Sequence, residues 1–314
     1  MSGAKIATSA FLVTWLAASV RLAGPVLLAA LGEVFSERGG VLNLGIEGTI
    51  LLGSLAGFLV SLFTGMTWAA FLVAMTVGII ASVFLAWMYV TVKASQVVTG
   101  LVFNVLALGI ARTVYRRALG DTALPQSIAM FHPLHIPHLS DLPFIGPVCF
   151  GQTILLYVTL ALVVIANFVL FRTHFGLALR ACGENPAAAH SAGISVDRIR
   201  YVGVMISGAT AGMAGGYVVL AQVGLFREAI TSGQGFIALA IVIFGRWNPL
   251  KAAGAALVFG ACDALQLSLQ LFGTRIPAQL LPALPYVVTI LAISGLFGSK
   301  AVPPAALMSP YSKN

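Results

Sequence analysis

Asn43 and Glu47 stand four residues apart, so on a helix they share one face a turn apart. An amide and a carboxylate so placed can hydrogen-bond a polar guest, but they are not a nucleophile with its base. Gly45 and Gly48 beside them leave room for a ligand or for a neighbouring backbone. Asp263 and Gln266, three residues apart, and Asn104 are further polar groups set in apolar stretches, where ionisable and amide groups are costly unless used. For Asp263 and Asn104, contact with a solute and hydrogen bonding between helices are both open readings. Phe236 offers an aromatic face to the opposing side or packs in a core. Glu33, Glu37 and Arg38 precede Gly39-Gly40. They belong either to a discontinuous region on a solute path or to a short loop with a Glu37–Arg38–Glu47 charge network. His132, His135 and His138 recur every three residues, but Pro133 and Pro137 forbid a regular helix with one histidine face. A solvated loop is expected there rather than a metal site. Cys149, Cys182 and Cys262 form no disulfide or zinc framework. None of these groups makes a constellation for chemistry on a substrate, so an enzyme is not expected.

The elements that must position these groups are strongly apolar. Hydrophobic residues make up 59% of the chain and charged residues 8%, too little charge to cover a soluble surface of this size. Mean hydropathy is +1.00. Apolar blocks near 8–35, 44–63, 68–92, 97–117, 150–171, 201–222, 234–246, 252–272 and 281–298 predict an all-α, polytopic membrane bundle of eight to ten transmembrane helices. The first block reads as one helix broken at Gly24-Pro25 or as two short ones. The block at 234–246 is too short to span and pairs with part of 222–233 as a broken helix. Breaks are therefore expected near 24–44 and 222–246. Lys5 and the Ala17-Ala18-Ser19 run imitate a signal peptide, but Arg21 follows at once and the apolar pattern resumes, which favours a retained helix. The net charge of +8 sits at the ends of apolar blocks, so it anchors the chain in the lipid bilayer rather than binding nucleic acid.

Residues 172–200, RTHFGLALRACGENPAAAHSAGISVDRIR, are too polar to span. Asn185 and Pro186 suit an N-cap and first turn, and Gly193 suits a helix end. A compact basic helix between two spanning blocks is a surface on which a cytosolic partner could push. With this segment inside, ten basic residues face the cytoplasm and five the exterior, and the long 118–148 loop outside carries no Lys or Arg. Gly208, Gly212 and Gly216 form a small-residue ridge for close helix contact, within the chain or between subunits.

Three motifs in order carry a family resemblance over nearly the whole chain. LGEVFSERGGVLNLGIEGTILLGS at 31–54 resembles the permease subunits of bacterial ABC importers for branched-chain amino acids, simple sugars and nucleosides, and its ERGGVLNLGIEG form resembles the nucleoside and simple-sugar branch. The 172–200 segment is similar to the family's coupling segment at Gly183, Glu184, Asn185, Pro186, Ala187, Ala188, Gly193 and Ile194. GQGFIALAIVIFGRWNPL at 233–250 matches a third motif, except that Gln234 stands where a basic residue is expected.

The resemblance implies a single permease domain over 1–314 in the bacterial inner membrane, with 172–200 as its coupling segment. It implies cytosolic ABC ATPase subunits, a paralogous permease (a heterodimer rather than a homodimer) and an extracytoplasmic solute-binding protein as partners. The solute would be a nucleoside, a nucleobase or a simple sugar, with Asn43, Glu47, Asn104, Phe236 and Asp263 as candidates for its path. No G-x-x-x-x-G-K-[ST] loop occurs, so the chain is expected to bind no cofactor and a partner to hydrolyse the ATP. A self-sufficient secondary transporter or channel is the rival reading, but it leaves the coupling segment without a role.

Overall fold

The computed structural model describes residues 2–120, 126–134, 137, 139–140, 142, 144–271, 283–284, 287 and 302–312, with side chains from residue 11 onward. Most of the apolar block at 281–298, and His135 and His138, lie outside the described residues. Among those described, ten α-helices occur: α1 (Ser2–Arg38), α2 (Ile46–Thr64), α3 (Thr67–Ala86), α4 (Gln96–Leu119), α5 (Ile154–Arg172), α6 (His174–Glu184), α7 (Pro186–Ser191), α8 (Val196–Tyr217), α9 (Gln234–Phe244) and α10 (Pro249–Leu271). The ladder widens to π geometry at Trp87–Thr91 after α3 and at Val218–Val223 after α8.

Seven of these helices are long and apolar enough to cross a membrane: α1, α2, α3, α4, α5, α8 and α10. That is below the expected eight to ten: one apolar block lies mostly outside the described residues, and α9 stops short. Its 11 residues rise only ~16 Å, about half of a ~30 Å hydrocarbon core.

The expected break at Gly24-Pro25 does not occur. Proline lacks the N–H that would bond the carbonyl of Arg21, and an unmet carbonyl in lipid would break the helix. Gln222, just after α8, supplies the donor instead, its Nε2 lying 2.9 Å from that carbonyl. Gly24 is needed for a different reason, since a Cβ there would meet the Tyr217 hydroxyl at 2.7 Å. The first interruption comes later, at 39–45.

α8 is the central column, packed on α1, α2 and α3. Its glycine ridge faces inward, which settles the ridge as packing within the chain. A Cβ at Gly208 would come 2.2 Å from the Ser82 Cβ, and one at Gly212 would come 2.3 Å from the Ala74 carbonyl oxygen. Gly53 of α2 closes on Gly212 from the other side, at 2.6 Å from its carbonyl oxygen. Leucines, isoleucines and valines of α3, α4 and α5, among them Ile80, Val102 and Val164, point outward and are exposed, as lipid-facing helices require.

Candidate solute passage and coupling face

Between α1 and α2 the chain leaves helical geometry inside the bundle, and each freed backbone group there needs a partner. Polar side chains supply them. Ser36 Oγ donates to the Val41 carbonyl (2.7 Å), and Gln96 Oε1 accepts from Leu42 N–H (2.8 Å). Glu33 Oε1 accepts from Asn43 N–H (2.8 Å), and Asn43 Oδ1 accepts from Gly45 N–H (3.1 Å). Asn104 serves two groups, donating to the Leu44 carbonyl (2.9 Å) and accepting from Gly48 N–H (2.8 Å). The polar letters of the 31–54 motif are thus largely the hydrogen-bond complement of an interrupted helix.

Asn43 is fully buried. Its Nδ2 donates to Ser207 Oγ (3.1 Å), whose hydroxyl donates to Glu33 Oε2 (2.7 Å), and Tyr89 OH reaches Asn43 Oδ1 at 3.4 Å. In this conformation Asn43 presents no surface to a solute and ties α1, α2, α8 and the end of α3 into one node.

Glu47 neither pairs with Arg38 nor orients Asn43. Its carboxylate accepts from Gly233 N–H (2.9 Å) and Gly235 N–H (2.6 Å), holding the N-terminus of α9, where a negative charge meets the helix dipole. Gly235 must be small, since a Cβ would lie 2.7 Å from the Glu47 nitrogen. The Glu37–Arg38–Glu47 network does not form either. Glu37 accepts from Trp247 Nε1, and Arg38 donates to the carbonyls of Trp247 (3.1 Å) and Arg246 (3.4 Å). Arg246 and Trp247 both have positive φ, +51° and +53°, so this turn after α9 is strained and held by the end of α1.

A cavity of about 470 Å³ opens between α2, α4 and the chain before α9. Glu47, Asn104, Glu228 and Ser232 give it polar groups; Leu51 and Leu108 give it apolar wall. Arg112 pairs with Glu228 at 3.1 Å above it. Of the five candidate path residues, Glu47 and Asn104 line this cavity. Phe236 is 41% exposed and lies outside its lining, as does Asp263 on α10, which packs on α1, α5 and α9. Glu228 and Ser232 escape a reading of the sequence because they lie in a stretch without pattern, close to the cavity only through the fold.

Near the end of α1, α7 follows its local rules. Asn185 Oδ1 accepts from Ala188 N–H (3.0 Å), Pro186 opens the helix, and Gly193 closes it at φ +82°. Glu184, Ala187 and Ala188 are exposed. Gly183 lies in α6, where a Cβ would come 2.1 Å from the Arg38 carbonyl oxygen. That contact seats the 172–200 segment directly on the end of α1.

Among the described residues, a bundle of apolar helices with an interruption between α1 and α2, a polar-lined cavity beside it and a small polar helix near the end of α1 is an arrangement that suits a membrane permease. The chain belongs to the family described as "Branched-chain amino acid transport system / permease component", which matches residues 15–293. It is a multi-pass permease component of an ABC importer. It is 39% identical over 306 residues to the guanosine ABC transporter permease protein NupQ of Bacillus subtilis, covering 94% of this chain and 95% of that one. It is 36% identical to the nucleoside ABC transporter permease protein NupC of Lactococcus lactis, over 92% and 94% of the two chains. It is 34% identical to the putative glucose ABC transporter permease protein TsgC13 of Haloferax volcanii, over 94% and 96%. No solved structure matches the chain at a significant level.

Proposed function

We propose that this permease forms part of the passage of a nucleoside importer, and that the solute passes the cavity between α2, α4 and residues 228–232. The cavity's composition carries this reading. Carboxylate, amide and hydroxyl groups of Glu47, Asn104, Glu228 and Ser232 suit sugar hydroxyls, and the Leu51–Leu108 wall suits a flat base. A simple sugar, which lacks the apolar ring, uses the second feature less well. The names of the nucleoside relatives agree with this order.

The remaining roles follow the family. The exposed face from Glu184 to Gly193 docks in a groove of a cytosolic ATPase, which binds the ATP; this chain itself binds none. A paralogous permease completes the passage as a heterodimer, and an extracytoplasmic binding protein delivers the solute. ATP-driven closure of the ATPases then moves α7, and with it α5, α6 and α8, so that the passage opens alternately to the two sides.

Leu108→Trp tests the passage. Leu108 is 43% exposed, so the fold accommodates the larger ring while the cavity fills. Nucleoside uptake by the reconstituted importer should fall by about tenfold with permease abundance unchanged, the scale of one lost favourable interaction. Wild-type uptake would move the passage elsewhere, and uptake of glucose with none of a nucleoside would overturn the solute class.

A further inference from the structure

Residues 302–312, VPPAALMSPYS, lie across the same end of the bundle as α7 and touch three separate elements. The N–H of Ala306 donates to the Gly183 carbonyl (2.8 Å), at the end of α6. The N–H of Met308 donates to the Gly40 carbonyl (3.1 Å), in the turn between α1 and α2. The carbonyl of Ser309 accepts from Arg200 Nη1 (2.9 Å), on α8. Side chains reinforce these bonds. Leu307 packs against the main core, and Tyr311 packs on the cluster of Cys182, Ala189 and Val196, its ring 6.0 Å from that of His190 on α7.

Arg200 is the junction. It is 3% exposed, and while Nη1 holds Ser309, Nε donates to the Gly39 carbonyl (3.2 Å). A planar guanidinium can hold two carbonyls in fixed directions at once; a lysine ammonium cannot. Gly40 has φ +89° and no space, since a Cβ would meet Arg200 Nη2 at 2.9 Å. Three residues beyond Gly40 stands Asn43, the node that sets the start of α2 and therefore the wall of the cavity.

We propose that residues 302–312 are a coupling strap, carrying displacement of α7 through Arg200 and the Gly39-Gly40 turn to the interruption between α1 and α2. The proposal rests on the reading of α7 as the ATPase contact. Without the strap, the coupling segment holds that turn through one hydrogen bond, Arg200 to the Gly39 carbonyl, and through the close approach of Gly183 to Arg38, which resists compression but does not pull. The three hydrogen bonds and the Tyr311 contact let the same surfaces move together in both directions.

The test measures solute uptake and ATP hydrolysis together in proteoliposomes holding the full importer. Arg200→Lys keeps the charge and loses the paired hydrogen bonds to the Gly39 and Ser309 carbonyls. Its uptake should fall about tenfold while hydrolysis stays within about twofold, a loss of the size found along coupling routes. Tyr311→Ala, at the rim of the strap, should lower the ratio of solute to ATP in the same direction and serves alone if the Arg200 variant does not accumulate. An unchanged ratio in the variants that accumulate, or a parallel fall of both rates, overturns the strap. Pro186→Leu separates the underlying reading: if it leaves ATPase association and uptake at wild-type levels, α7 is not the contact, whatever the strap variants do.

Discussion

Replacing Gly212 by alanine would place a Cβ 2.3 Å from the carbonyl oxygen of Ala74 and 3.0 Å from the Cα of Gly78. Carbon and a carbonyl oxygen approach no closer than about 3.3 Å, so α8 and α3 would have to part by about 1 Å. Both neighbours are backbone, and no rotamer change relieves the contact. Moving α8 the other way is blocked by Gly53, whose own space ends at the Gly212 carbonyl. Overpacking of this kind costs about 1–3 kcal/mol, which lowers the folded-to-unfolded ratio by about 5- to 150-fold. Gly254 on α10 is the matched control: it is exposed, and nothing lies within 4 Å of an added Cβ. There alanine should stabilise by about 0.5–1 kcal/mol through the reduced backbone freedom of the unfolded chain. The assay is the unfolding midpoint of each purified permease in one detergent. Opposite shifts are expected, and a Gly212→Ala protein as stable as wild type would refute the close-packing argument.

Asn43→Ala removes the bridge between Ser207 and Gly45 and leaves the Ser207–Glu33 pair with a void beside it. The amount of assembled permease in the membrane should fall severalfold with the apparent KM of the surviving fraction unchanged; a raised KM at normal abundance would restore Asn43 to the solute path. Ala129 and Ser195 are both exposed, at opposite ends of the bundle. In a cysteine-free background, Ala129→Cys should react with an impermeant maleimide in intact cells and Ser195→Cys only after the membrane is opened. The reverse pattern would invert the orientation and remove α7 from the cytosol.

Whatever depends on short range is legible in the sequence. Runs of apolar residues specify spanning helices because lipid tolerates no unpaired backbone. The α7 cap is readable because Asn185, Pro186 and Gly193 act on their own neighbours. The glycine spacing of α8 foretells a close approach, since only a missing side chain permits one.

The roles of the polar residues are not legible in the same way, because each is set by a partner far along the chain. Glu47 and Asn104 are candidates for the solute path with structural alternatives left open, and both line the cavity, yet their hydrogen bonds go to backbone at 233–235 and 44–48. Pro25 reads as a break because nothing local announces that Gln222, 201 positions away from Arg21, will supply the absent donor. Glu37 and Arg38 read as a charge pair because they are adjacent, while their partners sit in the turn at 246–247. A membrane permease with a small capped polar helix is thus written in the order of the residues, since hydrophobicity and capping are properties of near neighbours. Which carboxylates and amides complete the backbone, and which line a cavity, is settled by the folded bundle alone, because a buried polar group is satisfied by whatever the fold brings within about 3 Å of it.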